Sequence, residues 1–217
     1  MNMKKMVIFD LDGTLLDAVP DITDSANVTM EKFGFKKRTE QEMKTFVGNG
    51  ARKIVERSVG MELPKEKIDE MLAFYNDYYT KHSSIRTHLF DGVPEVLKTL
   101  KERGYMIAIV TNKPQKTTNV VYDIYLKDFG FEKAIGPAVG GSCKPEKETT
   151  LNLLKEYDVL PENAYFVGDG EADVMVAINA GVKGIAALWG YRNKEQLQAV
   201  GATVFCEKPL GLLDIIL

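Results

Sequence analysis

Short, mostly apolar runs recur along the 217-residue chain, with longer amphipathic stretches between them. Apolar runs without polar alternation are typical of parallel strands that are covered on both faces. In the intervening stretches, apolar residues return every three or four positions, as on a helix with one buried face. This alternation predicts a doubly wound, Rossmann-like α/β sheet. The predicted strands are Met6–Phe9, Met106–Val110, Ala164–Val167, Gly184–Leu188 and Ala202–Phe205, with a weaker one near Ala134–Val139.

The segment from about Asp17 to His88 departs from this alternation. It contains three helical patterns and no convincing strand, and the first two patterns end at Gly34 and Gly60. An all-helical block inserted after the first strand predicts a small separate domain. We therefore expect a core of residues 1–16 and 89–217, a helical cap domain of residues 17–88, and hinges at the two connections.

Polar residues follow four of the predicted strands. Ligands of open α/β sheets bind at the carboxyl ends of the strands, so these residues are candidates for one site. Singly, each has a structural explanation, since Asp-Gly is a common turn and acids suit the first turn of a helix. Together they place clustered carboxylates at one rim, and such carboxylates repel unless a cation joins them. The four segments are Asp10-Leu11-Asp12-Gly13-Thr14, Thr111-Asn112-Lys113, Gly140–Pro145 with Lys144, and Gly168–Asp173.

The ligand types at this rim indicate the metal. All are oxygen donors, and neither histidine nor cysteine belongs to the acid cluster, which favours Mg²⁺ over zinc.

As a set, these segments resemble the four-motif signature of the haloacid dehalogenase superfamily. The resemblance extends from the first strand to Ala202. It is closer to the phosphoglycolate phosphatase-like branch, in which pyrophosphatases and general phosphatases are also found. The features shared with that branch are Asp10–Asp17, Phe46–Arg52 and Trp189–Arg192. Two positions depart from the pattern, because Glu146 replaces a second proline and Gly170 replaces a common serine.

The resemblance implies catalytic roles for the core residues. Asp10 would be the nucleophile that forms an aspartyl-phosphate. Asp12 would protonate the leaving oxygen and then deprotonate the attacking water. Lys144 would offset the negative charge of Asp10 and of the phosphoryl group.

The resemblance also implies the Mg²⁺ ligands. The ion would be held by the Asp10 carboxylate, the Asp12 backbone carbonyl and Asp169. Asp173 would orient metal-bound waters.

Binding of the substrate would involve both parts of the chain. The resemblance assigns the phosphate to Thr111, which counts among the catalytic residues, to the backbone of Asn112 and to Gly13. Selection among phosphate esters would fall to the cap, where Arg52 or Lys53 at the start of a helix would bind an anionic group such as the carboxylate of 2-phosphoglycolate.

Composition limits the other classes of function. The net charge of -3 gives no electrostatic footprint for nucleic acid, and the longest apolar runs are far below a membrane span. The run Met6–Phe9 is too short for a signal peptide. Two cysteines do not make a disulfide framework, so we expect a cytoplasmic protein, monomeric or homodimeric, whose partner is a small phosphate substrate.

The leading hypothesis is a Mg²⁺-dependent phosphatase that hydrolyses a small phosphorylated metabolite. Alternatives within the superfamily are a phosphomutase resembling beta-phosphoglucomutase, a pyrophosphatase and a general phosphatase. A dehalogenase is disfavoured because its chemistry works without the second aspartate and the metal-binding acids. A non-catalytic relative is disfavoured because such proteins commonly lose a nucleophile or metal ligand, and none is missing here.

Overall fold

The computed structural model describes residues 4–138 and 141–217. Val139, the predicted end of the weak third strand, and Gly140, at the start of the lysine motif, lie outside the described residues. The same holds for residues 1–3 at the N-terminus.

Within the described residues, six parallel strands form the central sheet, and two short strands form a separate ribbon. In the sheet the order is β5-β4-β1-β6-β7-β8, so that β1 lies between β4 and β6 and its Ile8 pairs with both Ala108 and Phe166. This order confirms the predicted doubly wound α/β fold. The strands are β1 (Met6–Phe9), β2 (Leu16–Asp17), β3 (His88–Leu89), β4 (Met106–Val110), β5 (Lys133–Ile135), β6 (Ala164–Gly168), β7 (Lys183–Ala187) and β8 (Phe205–Cys206).

Helices cover both faces of the sheet. Val7 and Phe9 of β1 pack into a cluster on one face, while Met6 and Ile8 pack into a second cluster on the other. This explains why β1 has no polar alternation, since all four of its side chains are buried. The α-helices of the described residues are α1 (Val19–Lys32), α2 (Glu40–Phe46), α3 (Ala51–Val59), α4 (Lys65–His82), α5 (Val93–Glu102), α6 (Gln115–Tyr125), α7 (Glu148–Glu156), α8 (Glu171–Ala180), α9 (Lys194–Ala199) and α10 (Leu212–Ile216).

The last predicted strand was wrong in its extent. Strand β8 contains only Phe205 and Cys206, which pair with two residues of β7. Thr203 and Val204 lie before it and are exposed. An edge strand has a partner on one side only, so a short pairing with β7 limits its length whatever the sequence pattern suggests.

Helices α1 to α4 pack around their own apolar cluster, which includes Met30, Met43, Val55 and Met71. The sequence patterns predicted three of these helices and missed the short α2. Its signal is a capping box at Thr39: the hydroxyl accepts from the Glu42 N–H at 3.2 Å, while the Glu42 carboxylate accepts from the Thr39 N–H at 2.8 Å.

The two chain crossings between the sheet and the helical layer are tied together. Strands β2 and β3 pair antiparallel, and β3 follows a loop held by Asp21 of α1. The buried Asp21 carboxylate accepts hydrogen bonds from the backbone N–H groups of Ile85, Arg86 and Thr87 at 2.9 to 3.0 Å, and from the Thr87 hydroxyl at 2.7 Å. The division at residues 17 and 88 is where we predict the protein to move.

Candidate active site

Three buried aspartates meet at the carboxyl ends of the neighbouring strands β1 and β6. Asp10 follows β1, Asp169 follows β6, and Asp173 lies in the first turn of α8. One carboxylate oxygen from each lies within 4.8 Å of the others. Burial, and then the charges of Asp173 and Asp10, raise the pKa of Asp169 well above its ordinary value. Burial, followed by the charge of Asp10, raises the pKa of Asp173 to about 6.

Lys144 reaches this acid cluster from the loop after β5. Its buried Nζ lies 2.6 Å from Asp10 Oδ1 and 2.6 Å from Asp173 Oδ1. A well-aligned hydrogen bond forms with Asp173, whereas Asp10 Oδ1 receives none from any described residue. Burial lowers the pKa of Lys144, but the two carboxylates more than offset this effect and raise it. The ammonium therefore stays charged beside Asp10.

Asp12 has a different cation beside it. The Lys113 ammonium, with its side chain 1% exposed, donates to Asp12 Oδ1 at 2.7 Å and Oδ2 at 3.0 Å. It also donates to the hydroxyl of Tyr79, which belongs to α4. Burial raises the pKa of Asp12, and Lys113 only partly counteracts it. The sequence reasoning gave Lys113 no role; its place directly after Thr111-Asn112 at a strand end was the available signal.

Asn112 braces two loops with its side chain. The amide oxygen accepts from the N–H groups of Cys143 at 2.8 Å and Lys144 at 3.0 Å, and from the Ser142 hydroxyl at 3.0 Å. The amide nitrogen donates to the carbonyls of Lys144 and Gly48, each at 3.1 Å. The side chain thus fixes the Lys144 loop and contacts the loop before α3. From the sequence, only the backbone of Asn112 was predicted to have a role, as a phosphate contact, and this role of the side chain was not predicted.

Gly13 allows the Asp12 turn to lie against Asp169. Its φ is +89°, and an added Cβ would collide with the Asp169 carboxylate. The Gly13 N–H donates to Leu16 O at 2.8 Å, so it is already used within the turn. Thr111, at the end of β4, is buried and accepts from the Lys113 N–H at 3.2 Å.

A small cavity separates the sheet from the helical layer. Its volume is about 30 Å³, roughly that needed for one or two water molecules. The lining residues come from both layers: Asp10, Asp12, Thr111, Asn112, Lys113 and Pro114 from the sheet side, and Ile22, Val47, Gly48, Gly50, Ala51, Ile54, Tyr75 and Tyr79 from the helical side. The helices therefore lie closed over the strand ends in this conformation.

A family model described as haloacid dehalogenase-like hydrolase matches residues 7–187. The chain belongs to this hydrolase family. The match includes every aspartate and lysine of the site described above, so the resemblance inferred from the four motifs is confirmed.

Similar proteins span this hydrolase almost end to end. A phosphoglycolate phosphatase of Vibrio vulnificus strain YJ016 is 34% identical, with 98% of this chain and 96% of the relative covered. Phosphoglycolate phosphatase 1 of Pseudomonas aeruginosa is 31% identical, with 98% and 79% covered. A crystal structure from Lactobacillus delbrueckii subsp. bulgaricus, provisionally described as a phosphoglycolate phosphatase, superposes with a TM-score of 0.89 at 29% identity and covers 99% of each chain.

In this hydrolase, the two predicted cap selectors are not brought to the cavity. Arg52 forms an ion pair with Asp69 of α4, and Lys53 pairs with Glu56 at 2.7 Å, half exposed. Both side chains are thus engaged with acids of the helical layer, and the geometry does not support the predicted contact with substrate. The glycine loop before them does approach the core, since Gly48 and Gly50 line the cavity.

None of the helices in the described part of the hydrolase combines the length and apolar character needed to cross a membrane.

Proposed function

We propose that the protein is a Mg²⁺-dependent phosphatase that hydrolyses a small phosphate monoester of the phosphoglycolate type through an aspartyl-phosphate on Asp10. One observation carries the proposal. Asp10 and Asp12 line the same covered cavity, and each has its own buried lysine, Lys144 for Asp10 and Lys113 for Asp12. The curated relatives are named phosphoglycolate phosphatases, which supports the substrate class.

The first step would form a bond from an Asp10 carboxylate oxygen to phosphorus while the ester P–O bond breaks. Lys144, whose Nζ lies 2.6 Å from Asp10 Oδ1, would offset the charge of the phosphoryl group. The leaving oxygen needs a proton, which Asp12 would supply, because its raised pKa favours the protonated form. The products of this step are the free alcohol and the aspartyl-phosphate.

The second step would hydrolyse the aspartyl-phosphate. Asp12, now ionised, would accept a proton from water as the water oxygen attacks phosphorus. The Asp10–phosphate bond then breaks, which releases inorganic phosphate and regenerates both carboxyl groups. Thr111, which lines the same cavity at the end of β4, would donate a hydrogen bond to a phosphoryl oxygen.

The buried acids fit a divalent cation. Asp10 and Asp169 supply oxygens within 4.8 Å of each other, and their repulsion in a buried place would be relieved by Mg²⁺. We propose these two carboxylates and the Asp12 carbonyl as ligands, with Asp173 orienting water. When bound there, Mg²⁺ would offset the charge of the phosphoryl group.

Residues 17–88 would serve as a cap that opens and closes. The cavity of about 30 Å³ cannot admit a phosphate ester from solvent without movement. Opening at β2 and β3 would admit substrate, and closure would exclude bulk water during phosphoryl transfer. A cytoplasmic location and a monomeric or homodimeric state remain predictions.

Replacement of the nucleophile tests the proposal. We expect Asp10→Asn to abolish turnover without unfolding the protein, because the amide has the same shape and is a poor nucleophile. The assay compares kcat/KM in Mg²⁺ for 2-phosphoglycolate, pyrophosphate and a hexose phosphate. After reaction with ³²P-labelled substrate and denaturation in acid, wild-type protein should retain covalently bound label, whereas the variant should not.

The matched control is Asp158→Asn, which changes an exposed aspartate that pairs with Lys4. It should retain full activity. Near-normal turnover by Asp10→Asn would contradict the covalent mechanism, and isomerisation of the hexose phosphate in place of hydrolysis would favour the phosphomutase.

A further inference from the structure

The cavity has one cationic side chain among its described lining residues, and that side chain is Lys113. Lys144 lies behind Asp10 and does not line the cavity. A substrate that brings a second negative charge, besides the phosphoryl group, would therefore meet Lys113 first.

Lys113 can redirect one of its donors to such a group. An ammonium has three N–H donors. Within the described residues, Lys113 Nζ donates to Asp12 Oδ1 at 2.7 Å, to Asp12 Oδ2 at 3.0 Å and to the hydroxyl of Tyr79. All three donors are therefore engaged, two of them by one carboxylate, and rotation about the Cε–Nζ bond would exchange the longer of these two hydrogen bonds for one to a bound anion.

Tyr75 supplies an independent sign of a ligand. Tyr75 is 1% exposed and lines the same cavity, yet its hydroxyl has no hydrogen-bond partner among the described residues. Buried hydroxyl groups normally find one, and an unpaired one is unfavourable. The ring stacks on that of Tyr79, with centroids 5.6 Å apart, and the Tyr79 hydroxyl accepts from Lys113. Burial, and then the charge of Asp12, raise the pKa of Tyr75, so the group stays a donor.

We propose that Lys113 and Tyr75 together bind a carboxylate of the substrate and thereby select short phosphorylated carboxylic acids. This inference rests on the proposed phosphatase function and replaces Arg52 and Lys53 as the predicted selectors. A carboxylate accepts from two donors at once, which matches an ammonium and a hydroxyl that line one cavity.

The geometry also limits the length of the substrate. Asp12 must lie within hydrogen-bond reach of the leaving oxygen to protonate it. Lys113 Nζ lies 2.7 Å from Asp12 Oδ1, so the ammonium is one further hydrogen bond from that oxygen. A carboxylate joined to the ester oxygen through one carbon fits this separation, whereas a longer chain would carry the carboxylate further from the ammonium.

The test compares 2-phosphoglycolate with its neutral amide, 2-amino-2-oxoethyl phosphate, which has the same size. The measured quantity is the ratio of kcat/KM for the acid to that for the amide. Lys113→Met should lower this ratio about 10- to 150-fold, and Tyr75→Phe about tenfold, as expected for hydrogen bonds to a charged group. Lys113→Met should also lower kcat on both esters because Asp12 loses its partner, and the ratio removes this common effect.

Matched controls lie on α4, the helix that contains Tyr75. Lys81→Met removes an exposed lysine paired with Asp77, and Tyr78→Phe removes a hydroxyl outside the cavity lining. Both should leave the ratio within twofold of wild type. A similar fall in the controls would overturn the assignment.

The possible failures are distinguishable. Wild-type protein that hydrolyses neither ester in Mg²⁺ overturns the proposed function. Wild-type protein that hydrolyses both esters equally well, or variants Lys113→Met and Tyr75→Phe that keep the wild-type ratio, overturn only the carboxylate receptor. Because Tyr75→Phe removes a single oxygen, it answers the question even if Lys113→Met does not fold.

Discussion

Arg192 connects the core to the helical layer through hydrogen bonds that can be broken singly. The side chain is buried, leaves the segment after β7, and donates to the carbonyls of Lys44 at 2.5 Å and Val47 at 2.7 Å. These carbonyls belong to the C-terminal end of α2, where backbone acceptors lack partners within the helix. Glu171 of α8 fixes the guanidinium from the core side, with an N–O distance of 3.0 Å. Arg192 is therefore placed to hold the closed conformation.

Replacement by methionine should favour opening. A hydrogen bond from a charged donor contributes about 1.5–3 kcal/mol, and two of them cross the interface. Losses at neighbouring groups are not fully additive, so we take about 3 kcal/mol as the destabilisation of the closed state. The closed transition state carries this loss in full, whereas an open free enzyme carries none. At about 1.4 kcal/mol per tenfold change, Arg192→Met should therefore lower kcat/KM by up to about 100-fold.

Arg57 provides the matched control. It donates to the Phe46 carbonyl at 2.6 Å, at the same end of α2, but from within the helical layer. Arg57→Met should lower the free energy of unfolding without a comparable fall in kcat/KM. Steady-state kinetics and urea unfolding of both variants give the two quantities. A fall of less than threefold in Arg192→Met, or an equal fall in Arg57→Met, would refute the role in closure.

Two further predictions concern stability. The folded-state pKa of Asp173 is raised from 3.8 to about 6, so the folded metal-free protein binds this proton more tightly than the unfolded chain. Its free energy of unfolding should therefore fall as the pH rises from about 4 to 6. Urea unfolding in chelator should show this fall in wild type more strongly than in Asp173→Asn, and Mg²⁺ should reverse it; a Mg²⁺-independent profile would contradict the metal site. Asp21→Ala should lower the free energy of unfolding by about 3 kcal/mol, because three backbone donors and the buried Thr87 hydroxyl lose a charged acceptor; a change below 1 kcal/mol in the same assay would contradict this.

The sequence predicted the site residues that directly follow a buried strand, because the position of such residues is determined by the strand itself. Continuous apolar runs mark buried parallel strands, and chain connectivity then places the residues that follow them at one edge. Asp10, Thr111 and Asp169 lie at the ends of β1, β4 and β6, which are neighbours in the sheet. Their proximity therefore required no knowledge of side-chain packing.

The remaining contacts depend on how the helical layer packs, which periodicity does not determine. Arg52 and Lys53 begin α3, and the phase of that helix turns Ala51 and Ile54 to the cavity instead. Lys53 pairs with Glu56 of its own helix, three residues further along the chain. Arg52 pairs with Asp69, which lies on a different helix and could not be identified as its partner from spacing. Tyr75 fits the apolar stripe of α4, and only the packed structure shows that its hydroxyl has no partner among the described residues.

Each of the two buried lysines of the site forms an ion pair with a different aspartate of the cavity, Asp10 or Asp12. Lys144 contacts Asp10 and Asp173, on the side of the cluster where a metal would bind, while Lys113 contacts Asp12 and Tyr79, on the side covered by α4. Because Tyr79 belongs to α4, movement of the helical layer would change the surroundings of Lys113 and Asp12, and Asp12 is the proposed proton donor to the leaving oxygen. A substrate that engages α4 through its leaving group would stabilise the closed form, whereas one that offers only a phosphate would not. The leaving group should therefore control both selectivity and closure, and substitutions on α4 should affect kcat/KM for esters of different alcohols unequally.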